Sequence, residues 1–144
     1  MSYPLFEILL VEDNPGDVRL TKEAFSGSRF PVNMSVAYDG VEALEYLQKR
    51  DRFFNAPTPH LILLDLNLPR KNGMEVLEAI KTDKNLRRIP VIILSTSQSE
   101  DDIIRAYDLH ANCFITKPVD FDDFMNVVDA VEDFWFSVVK LPPN

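Results

Sequence analysis

Five short apolar runs, separated by longer amphipathic stretches, constrain this chain more than any other feature. They are Phe6–Val11, Val32–Ala37, Leu61–Leu64, Val91–Leu94 and Cys113–Ile115. Near-continuous Ile, Leu and Val in the first, third and fourth mark strands covered on both faces, whereas the second alternates. Strands alternating with helical stretches predict an α/β fold, with a parallel sheet and helices on both sides. The helices carry their own start signals. Asn14-Pro15 offers an N-cap followed by proline at the first helical position. Asp39 with Glu42, Ser99 with Asp102, and Asp120 with Asp123 each place an acid three residues after a capping side chain. The expectation is five strands and five helices in strict alternation.

The chain has 144 residues, enough for one full core and short for two. A single domain over 1–144 is expected, with its core at about 5–137, a short C-terminal tail at 138–144 and no output domain. A net charge of −8 disfavours nucleic acid as a partner, because a DNA or RNA binder needs a cationic face. The single Cys113 allows no internal disulfide and suits a reducing compartment. No apolar run reaches membrane-spanning length, and the N-terminus lacks the features of a signal peptide. A soluble, cytoplasmic protein without a membrane partner is expected. Gln48–Pro59 combines four charges, two prolines and the pair Phe53-Phe54, and reads as an exposed surface loop. Partner contact through the two Phe residues is the alternative.

In an open α/β sheet the site lies beyond the carboxyl ends of the strands. Glu12-Asp13 follow the first strand, Asp65 the third, Ser95-Thr96 the fourth, and Thr116-Lys117-Pro118 the fifth. Taken singly, each has an ordinary role: a helix cap, a solvated loop acid, a surface lysine. Together they place three carboxylates, a hydroxyl and an ammonium around one crevice. Clustered carboxylates repel one another unless a cation sits among them. Oxygen ligands without His or Cys select a hard cation, and Mg²⁺ suits a site that keeps several waters. Lysine and serine supply donors for an anion. A metal and anion donors around one carboxylate describe phosphoryl transfer to that carboxylate.

At this point the chain resembles the response-regulator receiver family. The matching residues are Val11-Glu12-Asp13-Asn14, Leu63-Leu64-Asp65-Leu66-Asn67-Leu68-Pro69 with Gly73, Val91-Ile92-Ile93-Leu94-Ser95, and Phe114-Ile115-Thr116-Lys117-Pro118. Their spacing fits the family from Leu5 to about Phe136. The resemblance implies a flavodoxin-like, doubly wound (βα)5 fold with strand order 2-1-3-4-5. It implies that Asp65 accepts a phosphoryl group from a sensor histidine kinase. It further implies Mg²⁺, with Mn²⁺ or Ca²⁺ able to substitute, held by Asp13, Asp65 and the Asn67 carbonyl, with Glu12 acting mainly through water. Lys117 would contact the acyl phosphate. Ser95 would swing inward to it, and Phe114 would follow as the rotamer switch. Gly73 would close the turn that begins at Pro69. A cis peptide is expected at Lys117-Pro118. Thr96 stands where many members carry Ala, so its larger side chain is expected to narrow phosphoryl access. Pro69-Arg70, Leu94-Ser95-Thr96-Ser97, Tyr107 with Ala111-Asn112-Cys113-Phe114, and Phe134-Trp135 with Leu141-Pro142 resemble the branch serving phytochrome-type kinases.

Apolar residues between Phe121 and Val139 span about 200° of a helical wheel, twice what packing on a sheet requires. Val127, Phe134, Phe136 and Val138 would lie outside the core, and such a patch marks an interface. A homodimer through the last helix and its neighbours is expected; a tail folded back over the patch is the alternative. Three rivals to the receiver reading fit the residues less well. A haloacid-dehalogenase-type phosphatase needs a second acid two residues after its nucleophile, where this chain has Asn67. A flavin module would want a phosphate cradle after strand 1, where Glu12-Asp13 carry the wrong charge. A pure binding scaffold, free of phosphorylation, would have no need of Glu12, Asp13, Asp65, Ser95 and Lys117 together. His60 and His110 are assigned no chemistry.

Overall fold

The computed structural model describes residues 5–28, 30–117 and 121–138, with 136–138 described by backbone only. Five parallel strands form one sheet: β1 Phe6–Val11, β2 Val32–Ala37, β3 Leu61–Asp65, β4 Val91–Ser95 and β5 Cys113–Thr116. Their order is β2-β1-β3-β4-β5. Five α-helices alternate with them: α1 Pro15–Ser26, α2 Gly40–Leu47, α3 Gly73–Thr82, α4 Glu100–Asp108 and α5 Phe121–Val131. The expected fold class and strand order are what is observed. No described helix is long and apolar enough to cross a membrane.

Side-chain alternation along the strands builds two cores. Leu9, Val11, Ile62, Leu64, Val91 and Ile93 face α2, α3 and α4, where they meet Ala43, Leu47, Val76, Leu77, Ile80 and Ala106. Ile8, Leu10, Leu61, Leu63, Ile92 and Leu94 face α1 and α5, where they meet Val18, Phe25, Phe124 and Val128. β1, β3 and β4 are inner strands with buried side chains on both faces, which is why their sequence reads as unbroken aliphatic residues.

The caps fix where the helices begin. Asn14 Oδ1 accepts from Asp17 N–H at 3.1 Å, and Asp39 Oδ1 from Glu42 N–H at 2.7 Å. The weaker Ser99 cap accepts from Asp102 N–H at 3.4 Å. Asp120 lies outside the described residues. A further capping box joins Asn72 and Glu75 at the start of α3. It follows a tight turn in which Lys71 N–H reaches Pro69 O at 2.7 Å and Arg70 takes φ 66°. Gly73 then lies so close to strand β3 that a Cβ there would overlap the Asp65 carbonyl oxygen and Leu66 Cα. The segment carrying Asp65 is thus pressed directly against α3.

Two expectations need adjustment. The 48–59 loop holds a 3₁₀ turn at Asp51–Phe53, and its two Phe residues part company. Phe53 packs edge-on to Tyr46 at 5.4 Å, under the Arg52 guanidinium, whereas Phe54 is 75% exposed. Only one of the pair is left for a partner. The last helix, in turn, is α-helical only to Val131 and continues as a π-helical segment, Glu132–Val138. Val127 is half-buried against the α1/α5 core rather than exposed, while Phe134 is 53% exposed and stacks edge-on to Trp135 at 5.3 Å. The side chains of Phe136 and Val138 lie outside the described residues, as does Pro118 and with it the expected cis peptide.

Candidate functional site

Three strand ends bring the chemistry together. β1 runs out into Glu12 and Asp13, β3 ends on Asp65, and Lys117 follows β5. Carboxylate oxygens of Glu12, Asp13 and Asp65 lie within 4.8 Å of one another. Glu12 is 2% and Asp65 8% accessible, while Asp13 is exposed at the rim. Lys117 Nζ bonds Glu12 Oε1, reaches Asp65 Oδ2 at 3.5 Å, and pairs with Asp17 Oδ2 at 2.7 Å. Backbone donors occupy the other oxygens: Asn67 N–H on Asp65 Oδ1 at 3.1 Å, and Asn14 N–H on Glu12 Oε2 at 3.2 Å.

The electrostatics follow from burial and crowding. Burial pushes the Glu12 carboxyl up to about 7; hydrogen bonding to Lys117 opposes this, and neighbouring Asp65 adds to it. Burial acts to lower the Lys117 ammonium, but Asp17, Glu12 and Asp65 outweigh it and hold the group above its ordinary value. A buried glutamate that resists ionising beside two more carboxylates is short of positive charge. The donor set is all oxygen, with one exposed member at the mouth, and this fits a hard divalent cation that keeps part of its water shell. Glu12, Asp13 and Asp65 are the residues that would hold it, with the Asn67 carbonyl close by in sequence.

The remaining expected residues surround this cluster. Ser95 is fully buried at the end of β4, its Oγ accepting from Ser97 N–H at 3.1 Å. Ser97 in turn donates to Asp102 in the first turn of α4 at 2.6 Å. Thr96, next in the chain, is exposed. Lys117 N–H donates to Ser95 O at 2.7 Å, so the lysine and serine positions are tied through the backbone. Phe114 is half-buried on the α4 side, and its N–H donates to the Tyr107 hydroxyl at 3.2 Å. His60 stands apart, its Nδ1 accepting from Glu7 N–H at 3.0 Å at the opposite end of β1.

Sequence reasoning missed Asp17. Its one signal was an acid in the first turn of a helix that starts directly after the strand-1 acids. It also missed Tyr107 as a hydrogen-bond partner of β5, a contact that only the packing of α4 creates.

A doubly wound parallel sheet with paired acids after strand 1, an acid closing strand 3 and a lysine after strand 5 defines a two-component signalling domain. The chain belongs to the response regulator receiver domain family, whose profile matches residues 8–129. It is 45% identical over 141 residues to response regulator Rcp1 of Synechocystis sp., covering 98% of this chain and 96% of that one. The Mn²⁺-bound form of Rcp1 superposes with a TM-score of 0.90 over 96% of this chain and 99% of the other. The phosphorylated cyanobacterial phytochrome response regulator RcpA is 48% identical with a TM-score of 0.93, over 97% of this chain and 100% of that one. A probable methanogenesis regulatory protein, FilR2 of Methanothrix harundinacea, is 39% identical over 95% of this chain and 88% of its own length.

Proposed function

We propose that Asp65 is the phosphoacceptor of this receiver and takes its phosphoryl group from a phosphohistidine on a sensor kinase. An Asp65 carboxylate oxygen attacks phosphorus; the new O–P bond forms as the P–N bond breaks, and the imidazole leaves with the electron pair. Mg²⁺ or Mn²⁺ among Glu12, Asp13, Asp65 and the Asn67 carbonyl would neutralise charge on the phosphoryl oxygens. Lys117 offers its ammonium to the same oxygens from the β5 side. Ser95 contributes its hydroxyl by releasing Ser97 N–H, and Phe114 follows it inward. Thr96 stands over the approach. The observation that carries this reading is the convergence of Glu12, Asp13 and Asp65 within 4.8 Å, with a buried lysine on both Glu12 and Asp65.

The donor we favour is a phytochrome-type histidine kinase, on the strength of the likeness to RcpA. The reaction is one of self-modification, a signal rather than turnover of an external substrate, and its place is the cytoplasm. Output passes through the face made by α4, β5 and α5; Ile104 and Tyr107 of α4 and Phe121 of α5 are exposed, as is Phe134 just beyond α5. A second copy of the chain meets that face, and a downstream protein reads it. Intact mass after incubation with Mg²⁺ and a small phosphoryl donor tests the core of this reading. A labile gain of one phosphoryl group is expected in the parent protein, lost in EDTA and in Asp65→Asn. Labelling that persists in Asp65→Asn would refute it. Sedimentation with and without phosphorylation tests the dimer, which a monomer in both states would exclude.

A further inference from the structure

Lys117 has three N–H donors and faces three carboxylates, but not evenly. Nζ lies 2.7 Å from Asp17 Oδ2 and is bonded to Glu12, yet it stands 3.5 Å from Asp65. The proposed acceptor thus receives the weakest of the three contacts. Glu12 and Asp65 both belong to the acidic cluster suited to a cation, together with Asp13; Asp17 is outside it. A cation placed there would engage two of the lysine's three partners and repel its ammonium. Asp17 would keep its hold. It is well fixed for this, because it sits in the first turn of α1 with its N–H on the Asn14 cap at 3.1 Å. The lysine side chain is 9% accessible against 36% for Asp17, so the pair closes one flank of the crevice.

We infer that Asp17 is a positioning residue: it holds the Lys117 ammonium away from Asp65 and competes with an incoming phosphoryl group for it. The inference rests on the reading of Asp65 as phosphoacceptor. Charge on Asp17 then restrains phosphorylation, since Lys117 must leave it to reach the phosphoryl oxygens. A carboxylate acting through Lys117 is distinguishable from one that merely repels an anionic donor, because only the former depends on the lysine.

The test is a double-mutant cycle read as initial labelling rate against acetyl phosphate concentration at saturating Mg²⁺. It compares the parent protein, Asp17→Asn, Lys117→Gln and the double variant. Asp17→Asn is expected to label about three- to tenfold faster than the parent at limiting donor, the range expected for losing one hydrogen bond of ordinary net strength at a partly exposed site. Asp17→Glu, which keeps the charge, should return the rate toward that of the parent. In the Lys117→Gln background the Asp17→Asn change should have no effect. An unchanged or slower Asp17→Asn, or equal acceleration in both backgrounds, overturns the inference while leaving the phosphoacceptor reading intact. No labelling of the parent protein at any donor concentration overturns both.

Discussion

Two lysines at opposite ends of the sheet show how one side chain is put to two uses. Lys117, beyond the carboxyl end of β5, faces three carboxylates, and they hold its ammonium above the ordinary value against the pull of burial. Lys81, at the end of α3, donates to Ile89 O at 2.8 Å, Arg87 O at 3.1 Å and Asn112 Oδ1 at 3.2 Å. All three acceptors are neutral, and burial lowers this ammonium. Asn112 Oδ1 also accepts from Val91 N–H at 2.9 Å, so Lys81 helps tie the entrances of β4 and β5 to α3. Lys81 has a full set of neutral partners and holds structure together. Lys117 sits among more negative charge than one ammonium balances, which leaves the site able to take up a cation. The carboxyl end keeps its chemistry by staying incompletely neutralised; the amino end is finished.

The largest effect expected from breaking this contrast is kinetic. Lys117→Gln should slow labelling of Asp65 by roughly a hundredfold, the usual cost of losing one charge-stabilising donor. With Mg²⁺ present, its melting temperature should stay near that of the parent. Both are read from one preparation by mass and thermal denaturation. Gly73→Ala comes next. A Cβ there meets the Asp65 carbonyl oxygen and Leu66 Cα, so the variant should lose about 1–3 kcal/mol, as overpacked sites do. Labelling should fall too, since the acceptor strand has to shift; urea unfolding and labelling rate report the two losses. Lys81→Met should do the reverse of Lys117→Gln: about 1–2 kcal/mol of stability lost through stranded acceptors, with labelling unchanged.

A separate expectation is the pH response of Glu12. Its folded pKa of about 7 lies above the ordinary 4.5, so between those values the folded protein binds more protons than the unfolded chain. Metal-free stability should therefore fall as pH rises through that window, with the whole penalty present above it and none below. Adding Mg²⁺ should raise the melting temperature more at about pH 8 than at about pH 5, because at the lower pH it competes with the proton on Glu12. An equal increment at both values would remove Glu12 from the cation site.

The fold was legible because each inner strand is buried on both faces and says so in its residues. Leu61–Leu64 and Val91–Leu94 each fall one residue short of the observed strand. The missing residues, Asp65 and Ser95, keep their place in the parallel ladder, but their side chains are the site's own polar groups. An apolar run therefore stops where the chemistry starts. Site residues could be read because the topology delivers strand ends to one edge. Asp17, Lys81 and Tyr107 could not, because each acts through contacts that exist only after the helices dock. The Asn72-to-Glu75 capping box was present as a pattern, but the intervening Gly73 reads first as the end of a turn. The last helix was misread at Val127, inside its regular α-helical part: a wheel gives the width of the apolar arc but not how far α1 reaches round it, and Val127 packs against the α1/α5 core.

Locating the phosphoryl group itself tests most directly whether Asp65 is the acceptor. Labelled protein would be reduced with borohydride, which converts an aspartyl phosphate to homoserine, then digested and sequenced by mass spectrometry. Homoserine is expected at position 65 alone, dependent on divalent cation, retained in Lys81→Met and strongly diminished in Lys117→Gln. Label on another acid, or label at position 65 that is indifferent to Lys117, would contradict this expectation.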